Sequence, residues 1–476
     1  MTQTVLTTAE SRLCRLHFKK VKSRANLPAL NRLFSELPFP FIFGGNLSKS
    51  QFGRFSCWTA EAAEIFEFSN IQKEPFEKLQ RVLNKYRLVT VSEGDLPKGV
   101  FKGGWAGFFS YDLGRFIEKI SLKAIDDLQL PLIRLGFYDK VLVYDHIEEC
   151  FLLIAIELPG DRQKPDKKLD FLERLLGTAE EKVAPAPAAG DIENIDFSKF
   201  RCNMTRDYYL RSVERIKRHI FDGNVYQVNF SQRFECDFDR HPVELFNWQN
   251  QFNPSGYSAY IDADDFAVVS ASPEMFITIA DGFISTKPIK GTRPRAGGGE
   301  SDINRENYEQ LVLSEKEQAE LNMIIDLERN DLARICIPGT RKVIQPRTVE
   351  TYPTIYHAVA TVAGRLGRDK SFPDILRGIF PGGSITGAPK IAAMEIIEQL
   401  EPVRRGLYTG CIGFIGLGGE ACLNIAIRTV IIKNKRAFVQ TGGGIVADSD
   451  GEAELEETLV KARALLAGIE SVQKTA

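Results

Sequence analysis

Segments that would carry the chain into or across a membrane are missing from the sequence. No apolar run approaches about 18 residues, and the start, MTQTVLTTAESRLCRLHFKK, contains no apolar stretch after a basic one. A membrane-spanning helix needs about 20 mostly apolar residues, and a secretory signal needs an apolar core. We therefore expect a cytoplasmic protein that has no membrane partner.

A net charge large enough to attract polyanions is also missing. The 476 residues carry 61 basic and 63 acidic side chains, which leaves a formal net charge of −2. We therefore expect no nucleic-acid partner, and any anion-binding site must be local. The composition, 43% hydrophobic and 26% charged, is typical of a globular protein with two or three domain-sized units.

Cysteine pairs and the common catalytic signatures are likewise missing. The eight cysteines are scattered without a C-x-x-C pair, which favours reduced thiols over a disulfide framework or a zinc site. The chain has no G-x-x-x-x-G-K-[ST] loop, no H-E-x-x-H among its five histidines and no G-x-S-x-G. These absences argue against a P-loop nucleotide enzyme, a zinc hydrolase and a serine hydrolase.

What the sequence does contain is a long series of strand patterns with separate helical runs. KVLVYDHIEECFLLIAIEL (140–158) predicts two strands around an acidic turn, and YSAYIDADDFAVVSASPEMFITIADGFISTKPI (257–289) predicts an antiparallel meander. Helices are predicted in runs such as 307–336. Long meanders with segregated helices favour an α+β fold over a doubly wound parallel sheet.

A break in composition divides the chain into two parts. LDFLERLLG (169–177) predicts the end of a helix with Gly177 as its stop signal, and the following residues are rich in alanine and proline and poor in bulky apolar side chains. The pattern predicts a strand-rich N-terminal domain over residues 1–177, an exposed linker over 178–193 and a second domain over 194–476.

Two pairs of glutamates have helical spacing. Glu317 and Glu320 stand three apart in EKEQAELNM, and Glu454 and Glu457 repeat that spacing in AELEET. Residues three apart on a helix share a face, and two such pairs on facing elements would form an oxygen-rich site that suits Mg²⁺. Each pair alone is also the pattern of a solvated helix face, or of acidic residues that favour the positive end of a helix macrodipole.

Lys290 lies in a segment of cations and glycines, TKPIKGTRPRAGGG (286–299). It could be a solvated cation, an anion-binding charge or a nucleophile. Two further glycine-rich segments, PGGSITGAPK (381–390) and TGGGI (441–445), allow backbone N–H groups to converge on an oxyanion. Arg428, within the apolar run LNIAIRTVII, should be at least half-buried, so its partner is either an internal carboxylate or a substrate carboxylate.

Nine blocks of the sequence together resemble one family. The blocks are GGWAGFFSYDLGRFIE, GNVYQVNFSQRFE, SPEMF, PIKGTRPR, AELNMIIDLERNDLARIC, FPGGSITGAPKIAAMEIIEQLEP, RGLYTGCIGFIG, LNIAIRTV and TGGGIVADSDGEAELEET. Their order and approximate spacing resemble those of the chorismate-using enzymes that include anthranilate synthase component I, over most of residues 100–465. The resemblance implies an α+β fold in which large antiparallel sheets form a sandwich-like core with helices packed outside. Residues 194–476 would be the chorismate-binding catalytic domain.

The block around Lys290 indicates a branch within this family. PIKGT and GGSITGAPK resemble the aminodeoxychorismate synthase branch, whereas anthranilate synthase component I typically carries alanine at the position of Lys290. The resemblance to the first branch implies amination of chorismate at C4, giving 4-amino-4-deoxychorismate for 4-aminobenzoate and folate synthesis. The alternative is the anthranilate synthase reaction of tryptophan synthesis, which also eliminates pyruvate.

The resemblance implies two catalytic residues. Glu274 of SPEMF matches the general acid that protonates the leaving C4 hydroxyl, for which burial must raise its pKa. Lys290 matches a nucleophile that attacks C2 and displaces the C4 oxygen, giving a covalent adduct that ammonia resolves at C4. The lysine must be neutral to attack, and burial together with the cations Arg293 and Arg295 would lower its pKa.

A magnesium ion and a substrate wall are also implied by the resemblance. Glu320 and Glu457 match the principal Mg²⁺ ligands, with Glu317 and Glu454 as supporting positions, and the metal would hold the C1 carboxylate of chorismate. Gln227 stands where the water-adding relatives carry a lysine base, which disfavours addition of water. The positions that match chorismate contacts are Gly291, Thr292, Tyr408, Arg428, Gly442, Gly443 and Gly444.

The resemblance also bears on the source of ammonia and on a second ligand. The chain shows no cysteine elbow of a glutaminase, so ammonia would come from solution or from a separate glutamine amidotransferase subunit, component II. GGNLSKSQFGRFS (44–56), together with 256–258, resembles the segment that holds tryptophan in relatives and implies a tryptophan ligand in the N-terminal domain. His357 fits either a recurrent histidine of the family or a core histidine, and the roles of Leu321 and Asn322 stay open.

Overall fold

The protein is described by a computed structural model that covers residues 11–45, 53–89, 96–161, 163–182, 184–295, 301–352 and 355–474. Its strands, in chain order, are β1 (Arg12–Val21), β2 (Phe41–Phe43), β3 (Phe55–Thr59), β4 (Glu64–Phe68), β5 (Tyr86–Leu88), β6 (Gly104–Phe109), β7 (Ile133–Tyr138), β8 (Lys140–Asp145), β9 (Cys150–Glu157), β10 (Arg201–Cys202), β11 (Gln227–Asp237), β12 (Ala259–Asp262), β13 (Phe266–Ser270), β14 (Met275–Ala280), β15 (Phe283–Lys287), β16 (Ile289–Pro294), β17 (Lys342–Thr351), β18 (Ile355–Arg365), β19 (Gly387–Ala388), β20 (Cys411–Gly416), β21 (Ala421–Ile425), β22 (Thr429–Lys433) and β23 (Arg436–Ile445).

The helices cover the two sheets that these strands form. In chain order they are α1 (Leu27–Ser35), α2 (Phe76–Leu83), α3 (Pro165–Glu181), α4 (Arg206–Phe221), α5 (Pro242–Phe252), α6 (Asp302–Leu313), α7 (Glu315–Ala333), α8 (Phe372–Ile379), α9 (Lys390–Leu400) and α10 (Gly451–Lys474). No helix in the described parts of the chain is long and apolar enough to cross a membrane.

Among the described strands, pairing is antiparallel except between β1 and β5. The first sheet has 13 strands in the order β10–β11–β23–β22–β13–β12–β2–β3–β8–β9–β1–β5, with β19 paired to β11. The second has 10 strands in the order β16–β18–β15–β14–β21–β20–β6–β7–β4, with β17 paired to β18. The predicted hairpin β8–β9 is confirmed, and β20 and β21 form another antiparallel hairpin.

The two sheets pack face to face around a shared apolar layer. Val143 and Val268 enter this layer from the first sheet, and Phe108 and Ile412 enter it from the second, all fully buried. A second cluster joins α1, α3, α5 and α10 to the outer face of the first sheet, and a third joins α2, α7 and α8 to the outer face of the second. The α+β sandwich with outer helices is therefore confirmed.

The predicted meander over 257–289 is wrong at one point. β12 and β13 belong to the first sheet, whereas β14 and β15 belong to the second, so the chain crosses between the sheets at residues 271–274. Pro273 has no N–H for a ladder, and the Ser272 hydroxyl instead donates to the Ile425 carbonyl oxygen at 2.6 Å. The crossing brings Glu274 to a junction between the two sheets.

The prediction that Gly177 ends a helix is also wrong, because α3 continues to Glu181. Gly177 has space around its Cα and lies one turn before the end, where packing of Leu176 and Ala179 outweighs the helix penalty of glycine. Both sheets combine strands from either side of residues 178–193, so the boundary does not coincide with a division of the sheets. Residues 46–52 of the tryptophan-like segment and 296–299 of the RPRAGGG segment lie outside the described residues.

Candidate active site

Lys290 lies at an interruption of strand pairing. β16 pairs with β18, but the register shifts between Ile289 and Thr292, so Lys290 and Gly291 leave the regular ladder. Gly291 has a φ of +93°, and a Cβ there would lie 2.8 Å from Glu317 Oε2. Bulges of this kind re-aim side chains next to active sites, and glycine is the residue that tolerates this backbone conformation beside a carboxylate.

The amine of Lys290 faces acidic groups from three elements. Burial is the largest influence on its pKa and lowers it. The carboxylates of Glu320 on α7, Glu274 in the crossing and Glu457 on α10 oppose this shift, whereas the ammonium of Lys461 on α10 adds to it. The net pKa of Lys290 lies below its ordinary value, so the amine is biased toward its neutral, nucleophilic form.

The cations that the sequence pattern assigned to this shift are engaged elsewhere. Arg293 Nη1 lies 2.7 Å from Glu317 Oε1, and Arg295 Nη1 donates to the Tyr352 carbonyl oxygen at 3.4 Å. Lys461 takes their place as the cation that lowers the pKa of Lys290. Contacts with Glu317 and with the Tyr352 carbonyl oxygen hold these two guanidinium groups, whereas Lys461 acts on Lys290 from a separate element, α10.

Glu274 is held in a buried setting next to Lys290. Its side chain is 5% exposed, and Ser384 Oγ donates to its Oε1 at 2.7 Å. Burial raises the pKa of Glu274, while the Ser384 hydrogen bond and the Lys290 charge oppose the shift. The direction agrees with the requirement that this carboxyl hold a proton at the site.

The first glutamate pair begins α7. Ser314 caps this helix by accepting from the Glu317 backbone N–H at 3.3 Å, which places Glu317 and Glu320 on its first turns. Glu317 Oε1 pairs with Arg293, but its Oε2 is buried without a hydrogen-bond partner. Glu320 faces Lys290 across the space between α7 and β16.

The second pair lies on α10. Ser449 Oγ donates to Glu454 Oε1 at 2.6 Å, and burial raises the pKa of Glu454. Lys461 Nζ lies 2.6 Å from Glu457 Oε1 and also donates to the Gly442 carbonyl oxygen at 2.9 Å. Burial alone would raise the pKa of Glu457, but the Lys461 ammonium reverses the shift, and the pKa is lowered.

The carboxylates do not gather around one point in this arrangement. Within the described ranges, no three His, Cys, Asp or Glu side chains are close enough together to hold a metal ion. The two pairs instead act on the same amine, because the charges of both Glu320 and Glu457 raise the pKa of Lys290.

Thr292, His357 and Arg428 form a neighbouring polar group. Thr292 Oγ1 lies 2.8 Å from His357 Nδ1, and His357 Nε2 is buried without a hydrogen-bond partner. Burial, with the charge of Arg428, lowers the pKa of His357 to about 3, so the ring is neutral. Arg428 itself has a φ of +47° and is half-buried. Among the described residues no carboxylate forms an ion pair with it, although Glu274 and Tyr352 act on its charge.

The glycines of TGGGI lie in strand β23 and do not form a loop, in contrast to the sequence expectation. A Cβ at Gly443 would lie 3.1 Å from Glu454 Oε2, and a Cβ at Gly444 would lie 2.1 Å from Gln227 Nε2. The missing side chains therefore let β23 lie close to Glu454 of α10 and Gln227 of β11. Gln227 is fully buried, and neither atom of its amide has a hydrogen-bond partner.

Tyr408 belongs to an adjoining buried group. Its side chain is 8% exposed, and the guanidinium of Arg405 lies 5.6 Å from its ring centroid. Arg405 in turn pairs with Glu401 at 2.8 Å, and burial raises the pKa of Tyr408 well above its ordinary range. The Tyr408 hydroxyl is therefore a neutral hydrogen-bonding group.

Lys461 and Ser384 are the polar neighbours of the site that the sequence analysis did not identify. Lys461 stands four residues after Glu457 on α10, a spacing that places opposite charges together on a helix, so this pair had a local signal. Ser384 lies 110 positions from Glu274 along the chain, and no local pattern connects the two.

Comparison with known proteins shows the family. Residues 47–467 match the family described as chorismate binding enzyme. The chain is 39% identical over 370 residues to aminodeoxychorismate synthase component 1 of Bacillus subtilis, covering 78% of this chain and 77% of that protein. It is 38% identical over 400 residues to anthranilate synthase component 1 of Pseudomonas aeruginosa, covering 83% and 80% of the two chains.

The fold is shared with a solved relative. Anthranilate synthase component I from Streptococcus pneumoniae superimposes with a TM-score of 0.74 at 31% identity, covering 88% of this chain and 93% of that one. The family match spans most of the chain, and the similarity extends through both sheets. The chain therefore belongs to the chorismate binding enzyme family.

Proposed function

We propose that the protein is aminodeoxychorismate synthase component I, which aminates chorismate at C4 through a covalent adduct with Lys290. The observation that carries the proposal is the setting of Lys290, a partly buried amine that faces Glu274, Glu320 and Glu457 and has a lowered pKa. A lysine with a lowered pKa beside a buried carboxyl with a raised pKa can serve as a nucleophile paired with an acid, which is the pair that this displacement needs.

The proposed reaction consists of two displacements that conserve atoms and charge. The Lys290 nitrogen bonds to C2 of chorismate, the ring double bonds shift, and the C4–O bond breaks while Glu274 gives its proton to the leaving oxygen, which departs as water. Ammonia then bonds to C4, the double bonds shift back, and the C2–N bond to Lys290 breaks. Loss of the excess proton from the new amine restores the starting charges. Neutral Lys290 and protonated Glu274 are the states that burial favours.

We propose Mg²⁺ as the cofactor, held by Glu320 and Glu457 with Glu317 and Glu454 in support. The donor set is made of carboxylate oxygens, which Mg²⁺ prefers, and Glu317 Oε2 is a buried oxygen that lacks a hydrogen-bond partner. The ion, when bound, supplies positive charge for the substrate's C1 carboxylate. Lys461 forms an ion pair with Glu457, and this ion pair would have to break for Glu457 to bind the metal.

The remaining contacts follow from the groups around Lys290. Thr292 and Arg428 would bind a substrate carboxylate, because Arg428 is half-buried and forms no ion pair among the described residues. Tyr408 would donate from its neutral hydroxyl. The backbone of Gly291 and of the three glycines of β23, Gly442, Gly443 and Gly444, would line the other wall, where a Cβ would crowd neighbouring protein atoms.

Two partners are part of the proposal. The relatives are named component 1, which supports a second component, and we propose a glutamine amidotransferase that delivers ammonia. We also propose a tryptophan ligand at the N-terminal segment, since a Cβ at Gly45 would lie 2.1 Å from the Ser255 carbonyl oxygen, and one at Gly53 would lie 2.3 Å from that of Gly256. The two segments that resemble a tryptophan site thus adjoin in the fold.

Anthranilate synthase component I is the second candidate, because relatives of that name are about as similar as those of the first. Mass analysis of the product from chorismate, Mg²⁺ and ammonium separates them. The proposal expects 4-amino-4-deoxychorismate with no pyruvate. Anthranilate with stoichiometric pyruvate would assign the chain to the second reaction, and unchanged chorismate would contradict both.

A further inference from the structure

Ser384 contacts the candidate general acid directly and has no assigned role. Its Oγ donates to Glu274 Oε1 at 2.7 Å, and the residue is 6% exposed. Ser384 lies in a short turn, Gly383–Ile385, that precedes α9, whereas Glu274 lies in the crossing between the two sheets. The contact therefore depends on two segments that the fold brings together, and each segment must be held in place for the hydroxyl to reach the carboxyl.

The turn that carries Ser384 is fixed by hydrogen bonds from β11 and from the segment after α9. Asn229 of β11 donates from Nδ2 to the Ser384 carbonyl oxygen at 3.1 Å, and its backbone N–H donates to the Thr386 carbonyl oxygen at 2.8 Å. Arg405 Nη1 donates to the Ile385 carbonyl oxygen at 3.0 Å. Because three successive carbonyl oxygens have donors, the fold sets the position of the Ser384 hydroxyl without a ligand.

The backbone of Glu274 is also held. The Ser272 hydroxyl accepts from the Glu274 N–H at 3.3 Å and donates to the Ile425 carbonyl oxygen at 2.6 Å. The Ile425 N–H in turn donates to the Glu274 carbonyl oxygen at 2.9 Å. Both backbone groups of Glu274 are therefore engaged. The freedom that remains is in the side-chain torsions, and Ser384 contacts the end of that side chain.

A hydroxyl suits an acid that must both give and regain a proton. In the proposed reaction Glu274 gives its proton to the leaving oxygen and takes up the proton that the new amine loses. A serine hydroxyl can donate to an ionised carboxylate and accept from a protonated carboxyl, so the contact between Ser384 and Glu274 can persist in both forms. A backbone N–H or a lysine ammonium in the same place could only donate.

The hydrogen bond also influences the acidity of Glu274. Burial is the largest influence on the pKa of Glu274 and raises it, and the Ser384 hydrogen bond is the largest influence that opposes this shift. Loss of the hydrogen bond should therefore raise the pKa of Glu274 further. The groups whose charges interact with that of Glu274 are Lys290 on β16, Glu328 on α7, Arg428 before β22 and Lys461 on α10.

We propose that Ser384 is a positioning residue for the reaction, which holds the Glu274 carboxyl in one orientation while Glu274 gives and regains its proton. The inference rests on the proposed function, in which Glu274 is the acid. It goes beyond that function because it assigns a role to a residue outside the acid, the nucleophile, the metal ligands and the substrate contacts. In the alternative, the hydrogen bond only satisfies a buried carboxyl and stabilises the fold.

The first test is the pH profile of kcat/KM for amination by Ser384→Ala. Activity needs protonated Glu274, so it falls as pH rises through the pKa of that carboxyl. Loss of the hydrogen bond raises this pKa, so the alkaline limb should move to higher pH by about one unit. The maximal kcat should fall at least about tenfold with little change in KM, because the carboxyl is no longer held in place. Ser384→Thr keeps a hydroxyl and should keep the limb in place.

Ser110→Ala is the matched control, because Ser110 is 1% exposed and its hydroxyl donates to the Pro131 carbonyl oxygen at 2.6 Å. It should lower the melting temperature without moving the limb. Ser384→Cys, which keeps the volume but forms weak hydrogen bonds, replaces Ser384→Ala if the alanine variant does not fold. An alkaline limb that stays in place in the folded variant, or that moves equally in Ser384→Thr, would overturn the proposal.

The second test does not depend on turnover. Difference infrared spectra of the full-length protein should show a protonated carboxyl band that is missing in Glu274→Gln, and this band should persist to higher pH in Ser384→Ala than in wild type. A Glu274 band that titrates at the same pH in both proteins would overturn the proposal. If the band shifts as expected but wild type does not aminate chorismate, the proposed function fails while the effect of Ser384 on Glu274 stands.

Discussion

The carboxyl of Glu274 and the amine of Lys290 face each other, and the surroundings drive both toward their uncharged forms. Burial raises the pKa of Glu274 and lowers that of Lys290, although each charge acts on the other in the opposite direction. The cost of desolvation thus exceeds the gain from the ion pair. Burial thus biases the carboxyl toward its protonated form and the amine toward its neutral form, which are the forms that the proposed displacement uses.

Replacing Lys290 with alanine tests the nucleophile. We expect Lys290→Ala to lose C4 amination by at least about 10³-fold, because removing a covalent nucleophile leaves only binding and electrostatic catalysis. The measurement is the amount of 4-amino-4-deoxychorismate formed from chorismate and ammonium, by mass. Lys342→Ala, at an exposed position of β17, is the control. Amination at the wild-type rate in Lys290→Ala would rule out a covalent lysine adduct.

Lys461 should set the acidic limb of the pH profile. Activity requires neutral Lys290, so it rises with pH through the pKa of that lysine, which Lys461 helps to hold below its ordinary value. In Lys461→Met this pKa rises, and the acidic limb of kcat/KM moves to higher pH by about one unit. Lys461→Arg retains the charge and should keep the limb in place. A limb that moves equally in both variants would mean that the charge is not responsible.

Magnesium should be needed for turnover, and its affinity should depend on the two glutamate pairs. We expect chelation to abolish amination, and Glu320→Gln or Glu457→Gln to raise the Mg²⁺ concentration at half-maximal binding by at least about tenfold, because an amide is a weaker ligand than a carboxylate. Calorimetric titration of Mg²⁺ in the presence of chorismate measures this directly. Glu315→Gln, exposed on the first turn of α7, is the control. Unchanged binding in both variants would remove these residues from the metal site.

The buried pair of Arg405 and Glu401 should stabilise the fold next to the site. The two side chains are 2% and 3% exposed, and the guanidinium also donates to the carbonyl oxygens of Ile385 and Asn229. Arg405→Ala leaves an uncompensated buried carboxylate, so the free energy of unfolding should fall by about 3–5 kcal/mol in denaturant titrations.

An exposed pair gives the comparison for this change. Arg329, with a side chain 54% exposed, pairs with Asp326, and Arg329→Ala should cost less than about 1 kcal/mol. Equal losses of unfolding free energy in Arg405→Ala and Arg329→Ala would show that burial does not increase the contribution of the Arg405–Glu401 pair to stability.

Local patterns in the sequence were sufficient for elements whose signal lies within a few residues. The hairpin β8–β9 was predictable because alternation and turn residues are adjacent in the chain. The helical placement of Glu317 with Glu320, and of Glu454 with Glu457, followed from spacing. The meander failed at residues 271–274 because the choice of sheet depends on partners far away in sequence, β22 for β13 and β21 for β14.

The sequence by itself determined the family, the α+β class and the residue types available for acid, nucleophile and metal ligand, because these are recorded in ordered motifs and in local periodicity. Tertiary structure alone decided which charges meet. It placed Lys461, and not Arg293 or Arg295, where its charge acts on Lys290, and it joined Ser384 to Glu274 across 110 residues. The physical reason is that burial and through-space charge depend on how separate elements pack, and the spacing of residues along the chain does not record that packing.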